Sequence, residues 1–158
     1  MPKPAYTPLQ IANWFLANIG REAGDLITHL KLQKLVYYAQ AWSLAARGKP
    51  LFSEDFQAWA HGPVAPSLFR AFRAYGMDPI PAPASVPRLD PETVELLEEV
   101  LDVYGEHSAR KLEQLTHRER PWRDARGDLS PEARSDAVIS KDAMRSFYGD
   151  LSRRLSKG

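Results

Sequence analysis

The chain has 158 residues, 21 Lys and Arg against 20 Asp and Glu, a net charge of +1 and no cysteine. That length suits one domain with a core that needs no staples, and the missing thiols exclude disulfides and thiolate metal sites and fit a reducing, cytoplasmic setting. The charge balance argues against a general binder of phosphate backbones, which normally shows a strong basic excess.

In chain order, the start has no apolar run behind Lys3, so no secretory signal is expected. Thr7-Pro8-Leu9-Gln10 combines a capping residue, a proline suited to the first helical position and a glutamine that completes a capping box. It predicts a helix over 8–19 with Ile11, Phe15 and Ile19 on one face and Gly20 as its stop. Trp14 falls off that line and is expected to face outward. A second helix is predicted over 30–46, with Thr28 as cap and Gly48 and Pro50 as its end. Leu32, Leu35, Ala39 and Trp42 form its seam, yet Leu30, Tyr37, Ala41 and Leu44 are spread around the wheel. A helix apolar on most sides belongs in the middle of a core. Lys31 and Lys34 head its polar side. The apolar stretch over 26–46 is broken by His29, Lys31, Gln33, Lys34 and Gln40, so it falls short of a membrane span.

The segment 52–60 alternates loosely and predicts a brief strand leading into a turn at Gly62-Pro63. Gly62 is expected to adopt a conformation closed to side chains, with His61 presented beside it. Pro66 opens a third helix with Leu68, Phe72 and Tyr75 inward, Arg70 and Arg73 on the wet side, and Gly76 at its end. Residues 79–87 hold four prolines and are expected to be extended. Asp90-Pro91 starts another helix, ended by Gly105, and Ser108 caps a shorter one carrying Leu112 and Leu115. Pro121, Gly127 and Pro131 predict a loop. Residues 137–139 are a candidate second strand, and Ser140 caps a last helix with Met144, Phe147, Tyr148, Leu151 and Leu155 on one side. The sum is a mainly α fold: a compact helical domain of about six or seven helices with one or two short β-strands. It is expected to span 1–158 as one domain, with 1–6 and 153–158 flexible.

Site chemistry is sparse. His29, His61, His107 and His117 show neither i, i+4 pairing nor an H-E-x-x-H arrangement. No G-x-S-x-G elbow and no phosphate-cradling glycine loop occurs. No catalytic, cofactor-binding or metal-binding set is assigned, and a binding role is favoured over an enzymatic one; a triad assembled only in space stays open at this stage.

Several motifs together resemble a known family. They are Ala12-Asn13-Trp14-Phe15-Leu16, the run K-L-Q-K-L-x-Y-Y-A-Q over 31–40, the turn A-W-x-x-G-P-V over 58–64, Leu115-Thr116-His117 with Pro121-Trp122 behind it, and Ile139-Ser140 opening the final helix. In this order and spacing they are similar to the Panacea domain, the SocA-like antitoxin family. The family often has an aromatic residue at the position of Ala60 or His61, and here the His61 ring stands alone. The resemblance implies an antitoxin that neutralises a cognate protein toxin by contact, with some members handing the toxin to an ATP-dependent protease such as ClpXP. Trp14, Lys31, Lys34, His61, Arg70, Arg73 and His117 are the expected partner-binding residues. Two other readings compete. One is a DNA-binding autoregulator that uses the arginines of 118–126; the other is a hydrolase that depends on His61 or His117.

Overall fold

A computed structural model describes residues 4–19 and 27–157. Among them are seven α-helices, one 3-10 turn and three short strands. Helix α1, Pro8–Asn18, begins as its sequence dictates: the Thr7 hydroxyl accepts from the Gln10 amide and the Gln10 side chain accepts from the Thr7 amide. Gly20, expected to end it, lies outside the described residues. Trp14 is a correction, because it is only 5% exposed and meets Phe15 edge to face. Helix α1 packs on two later helices, so it buries more than a single stripe.

Helix α2, His29–Arg47, is capped by Thr28 and stopped by Gly48 in the left-handed region at φ 68°. It is the central element. Helices α1, α3 (Pro66–Phe72), α4 (Pro91–Tyr104), α5 (Ala109–Arg118) and α7 (Lys141–Lys157) all pack against it, as does a strand. That surround leaves no wet side for the helix's polar residues. Lys31 and Lys34, expected as solvated lysines lining a groove, are therefore 7% and 1% exposed. Lys31 resolves its burial by donating to the Gly105 carbonyl, 2.5 Å away at the end of α4.

The strands are β1 (Phe56–Trp59), β2 (Gly62–Val64) and β3 (Val138–Ile139), in the antiparallel order β2-β1-β3. The expected turn at Gly62-Pro63 has shifted. Ala60 and His61 make the turn, while Gly62 and Pro63 pair with Trp59 and Ala58 on the second strand. Ala60 and His61 keep negative φ, so the mirror-image turns usual in two-residue hairpins are not used, and Gly62 takes the positive φ of 114° instead. The expected loop around Pro121 is also corrected. Residues Arg120–Arg126 form helix α6, because proline is tolerated in a first turn, where no intrahelical donor is missed. Gly127, at φ 62°, ends it. Helix α3 runs into the 3-10 turn Arg73–Tyr75 and ends at Gly76, as expected. The proline-rich stretch is irregular, pinned where the Ile80 amide donates to the Ile27 carbonyl. Tyr6 is tied down as well, with its amide on the Leu51 carbonyl and its hydroxyl on Asp90. No helix among the described residues is long and apolar enough to cross a membrane.

A candidate partner-binding face at the hairpin turn

The hairpin stands on a buried lysine. A β-carbon on Gly62 would lie 2.6 Å from Lys34 Cε and 3.0 Å from Thr116 Oγ1, so a side chain would displace the end of Lys34 as well as strain a backbone at φ 114°. Lys34 Nζ has no hydrogen-bond partner among the described residues. Burial without a partner disfavours the ammonium form, and the Lys34 amine falls to about 8, with the Glu113 carboxylate opposing the shift.

Glu113, on α5, reaches the hairpin tip from the other side. Its Oε1 lies 3.2 Å from His61 Nδ1 and 3.9 Å from His117 Nε2. The His61 side chain is 70% exposed. The half-buried His117 ring stacks on Trp122, with centroids 3.9 Å apart and planes 13° off parallel. Burial is the main cause that holds His117 below the usual imidazole range, and the charges of Lys34 and Arg126 add to it. Trp122, on α6, donates its indole N–H to the Trp59 carbonyl. Arg126 is buried and donates to the carbonyls of Ala58, Ser130, Pro131 and Ala133, with its guanidinium 4.8 Å from the Trp122 ring centre. Helix α6, β1 and the following loop are thus clamped together through one side chain.

Beside the tip lies a cavity of about 590 Å³, open on one side. Its apolar walls are Leu30, Trp59, Val64 and Phe69; His29 lines it from α2, and Arg134 and Asp136 from the segment before β3. Trp59 and Phe69 meet edge to face at 4.9 Å. The hydrogen bonds fix the histidine's state. The Ala65 amide donates to Gln33 Oε1 at 2.9 Å, which turns the Gln33 amide nitrogen toward the Ala65 carbonyl at 3.3 Å and His29 Nε2 at 3.1 Å. An amide nitrogen only donates, so His29 Nε2 accepts and the ring is neutral with its proton on Nδ1. Burial and the Lys34 charge push its pKa the same way, downward.

Of the expected partner residues, the fold brings Lys34, His61 and His117 together around Glu113. Arg70 and Arg73 are exposed on α3 and the 3-10 turn. Lys31 and Trp14 lie inside the core and outside this face. Sequence reasoning missed Glu119 altogether. This half-buried carboxylate accepts from the hydroxyls of Tyr38 at 2.7 Å and Tyr148 at 2.9 Å. Since Tyr148 donates to Glu119, the Tyr37 hydroxyl 3.1 Å away is the donor between those two tyrosines. Burial raises the Glu119 carboxyl, and the tyrosine hydrogen bonds pull against that. Among the described residues no group of His, Asp and Glu could hold a metal ion.

The motifs that build this face define a class. The family model described as "Antitoxin SocA-like, Panacea domain" matches residues 32–123, and the chain belongs to that family. It is similar to the protein named Antitoxin SocA of Caulobacter vibrioides (strain NA1000 / CB15N), with 34% identity over 110 residues. The matched part covers 61% of this chain and 58% of that relative's length. No solved structure matches the chain.

Proposed function

We propose that this chain is a cytoplasmic antitoxin that neutralises a cognate protein toxin by direct binding through the hairpin face, with no bond made or broken. The observation that carries this reading is the family match over 32–123, a span holding most of α2, the hairpin and α3, which supply much of the cavity wall, and α5, which packs against α2 and β2. A stable complex of this kind buries roughly 1,600 Å² in total, anchored by a few aromatic or arginine residues. His61, Arg70 and Arg73 supply exposed contacts, and Trp59 and Phe69 an apolar centre. Lys34 and His117 act from beneath by holding the turn.

An operator-binding role has less support. Arg126 is buried and committed to four carbonyls, and Arg120 lies 3.7 Å from Asp124. The expected phosphate contact therefore keeps Arg118 and Arg123, which form no ion pair among the described residues.

A two-plasmid growth assay tests the proposal. The product of the adjacent reading frame should arrest growth, and this chain should restore it while co-purifying with that product. A His61→Ala/Arg70→Ala/Arg73→Ala triple variant should keep its melting temperature and lose rescue. A host lacking ClpXP separates steric blocking, which persists there, from delivery of the toxin for degradation, which fails. Full rescue by the triple variant, or no binding by the wild-type chain, contradicts the proposal.

A further inference from the structure

The cavity beside the hairpin has a chemistry of its own, and the inference drawn from it rests on the toxin-binding reading. Its volume lies within the roughly 300–1,000 Å³ of ordinary ligand sites. Such sites, however, enclose most of a free small molecule, about 70–90% of its surface. This one is only partly enclosed, and the exposed turn residue His61 is among those that line it. That shape suits a side chain that arrives on a second polypeptide and leaves its backbone outside.

The lining specifies what arrives. Trp59, Phe69, Leu30 and Val64 offer ring faces and aliphatic edges, and the Trp59 ring is held by a 2.8 Å bond from its indole N–H to Gln57 Oε1. His29 is 7% exposed, and its Nε2 is committed to Gln33. Its Nδ1–H is a fixed donor without a partner among the described residues, and it suits a carbonyl of the incoming chain. At the mouth, Arg134 is exposed and has no carboxylate within ion-pair reach among the described residues, although it lines the cavity. Asp136, equally unpaired, disfavours a second acid on its side. Arg134 therefore calls for a carboxylate next to the apolar group, while Asp136 leaves water or a cation on its own side.

We infer that this cavity is the anchor pocket for a bulky aromatic side chain of the toxin, presented beside a carboxylate that meets Arg134. The rest of the contact surface then excludes water around this anchor, as hot-spot interfaces do.

Two variants test it. Ala60→Trp, at a half-buried position on the cavity wall, fills the space; Arg134→Ala removes the cation. Both should retain the wild-type melting temperature. In ¹H–¹⁵N NMR, N-acetyl-L-tryptophan should shift the Trp59 indole and the Leu30 and Val64 amides of the wild-type chain. Ala60→Trp should abolish those shifts. Arg134→Ala should weaken N-acetyl-L-tryptophan severalfold, to the level of N-acetyl-L-tryptophanamide, which lacks the carboxylate. By calorimetry each variant should bind the product of the adjacent reading frame about tenfold or more weakly. If that product binds Ala60→Trp as tightly as wild type, the anchor is refuted and toxin binding survives. If it binds no form of the chain, the toxin reading itself fails, while the NMR titration still reports on the cavity. Probe binding with unchanged affinity for the product in both variants would make the cavity a site for free aromatic acids and overturn the inference.

Discussion

Two buried polar clusters share helix α2 and differ in how their polar atoms are matched. Toward its C-terminal half, Tyr37, Tyr38 and Trp42 meet Tyr104, Tyr148 and Glu119. There each hydroxyl has a hydrogen-bond partner, the Trp42 indole donates to Tyr104 at 2.9 Å, and Tyr38 stacks on Tyr104 at 3.9 Å. Toward its N-terminal half, beneath the hairpin, Lys34 Nζ and His117 Nε2 are buried with no hydrogen-bond partner among the described residues. A satisfied network rigidifies a core, whereas an unmatched buried group costs free energy and marks a place where something other than stability is served. The matched cluster anchors α7. The unmatched one lies under the face to which partner binding is assigned.

The largest expected effect comes from Gly62→Ala. The new methyl displaces the end of the Lys34 side chain, and the backbone at φ 114° strains any side chain, for a loss of about 3 kcal/mol. Denaturant unfolding reads the loss, and a double-mutant cycle with Lys34→Ala should recover the packing part of it.

Lys34→Met should move stability the other way. The unfolded amine keeps its ordinary value of 10.5 and the folded one lies at about 8, so below pH 8 the folded state bears the full cost of a buried cation, on the order of 3 kcal/mol. Between pH 8 and 10.5 the folded amine gives up its proton first and wild-type stability rises. Above pH 10 the buried tyrosines reverse the trend. Their pKa values are raised, Tyr104 to about 12, so the unfolded phenols ionise first. Unfolding free energies measured from about pH 7 to 9, below the tyrosine range, should climb in the wild-type chain and stay nearly flat in Lys34→Met.

Tyr148→Phe removes one donor to a half-buried carboxylate and should cost about 2 kcal/mol. The smallest effect on stability belongs to His61→Ala, within about 0.5 kcal/mol because the ring is exposed, although toxin affinity should fall.

Much of this architecture is legible in the sequence, because caps and helix stops are local signals. Thr7, Thr28, Asp90 and Ser108 each accept the amide bond that their position suggests. What escapes depends on neighbours distant in the chain. Trp14 reads as outward until α2 and α3 cover both sides of its helix. Lys31 and Lys34 read as a wet stripe because amphipathic logic assumes that every helix has a solvent side, and α2 lacks one. Glu119 carries no local signal, because its partners lie 81 and 29 residues away. Helix α6 was hidden by Pro121, a breaker in a helix interior and harmless in a first turn. For the site, His61 and Gly62 could be found from the turn motif. The cavity wall at Arg134 and Asp136 could not, since a segment that approaches from beyond α6 leaves no mark in local spacing. Function itself came from the family resemblance, since periodicity and composition gave only a helical body without a visible reaction centre.

Amide hydrogen exchange of the chain, free and bound to the product of its adjacent reading frame, tests the central claim most directly. Binding should slow exchange across the hairpin at 58–65, the start of α3 and residues 134–136, and leave the exposed sides of α4 and α7 unchanged. Protection on α4 or α7 with the hairpin unaffected would place the partner elsewhere and contradict the assignment of this face.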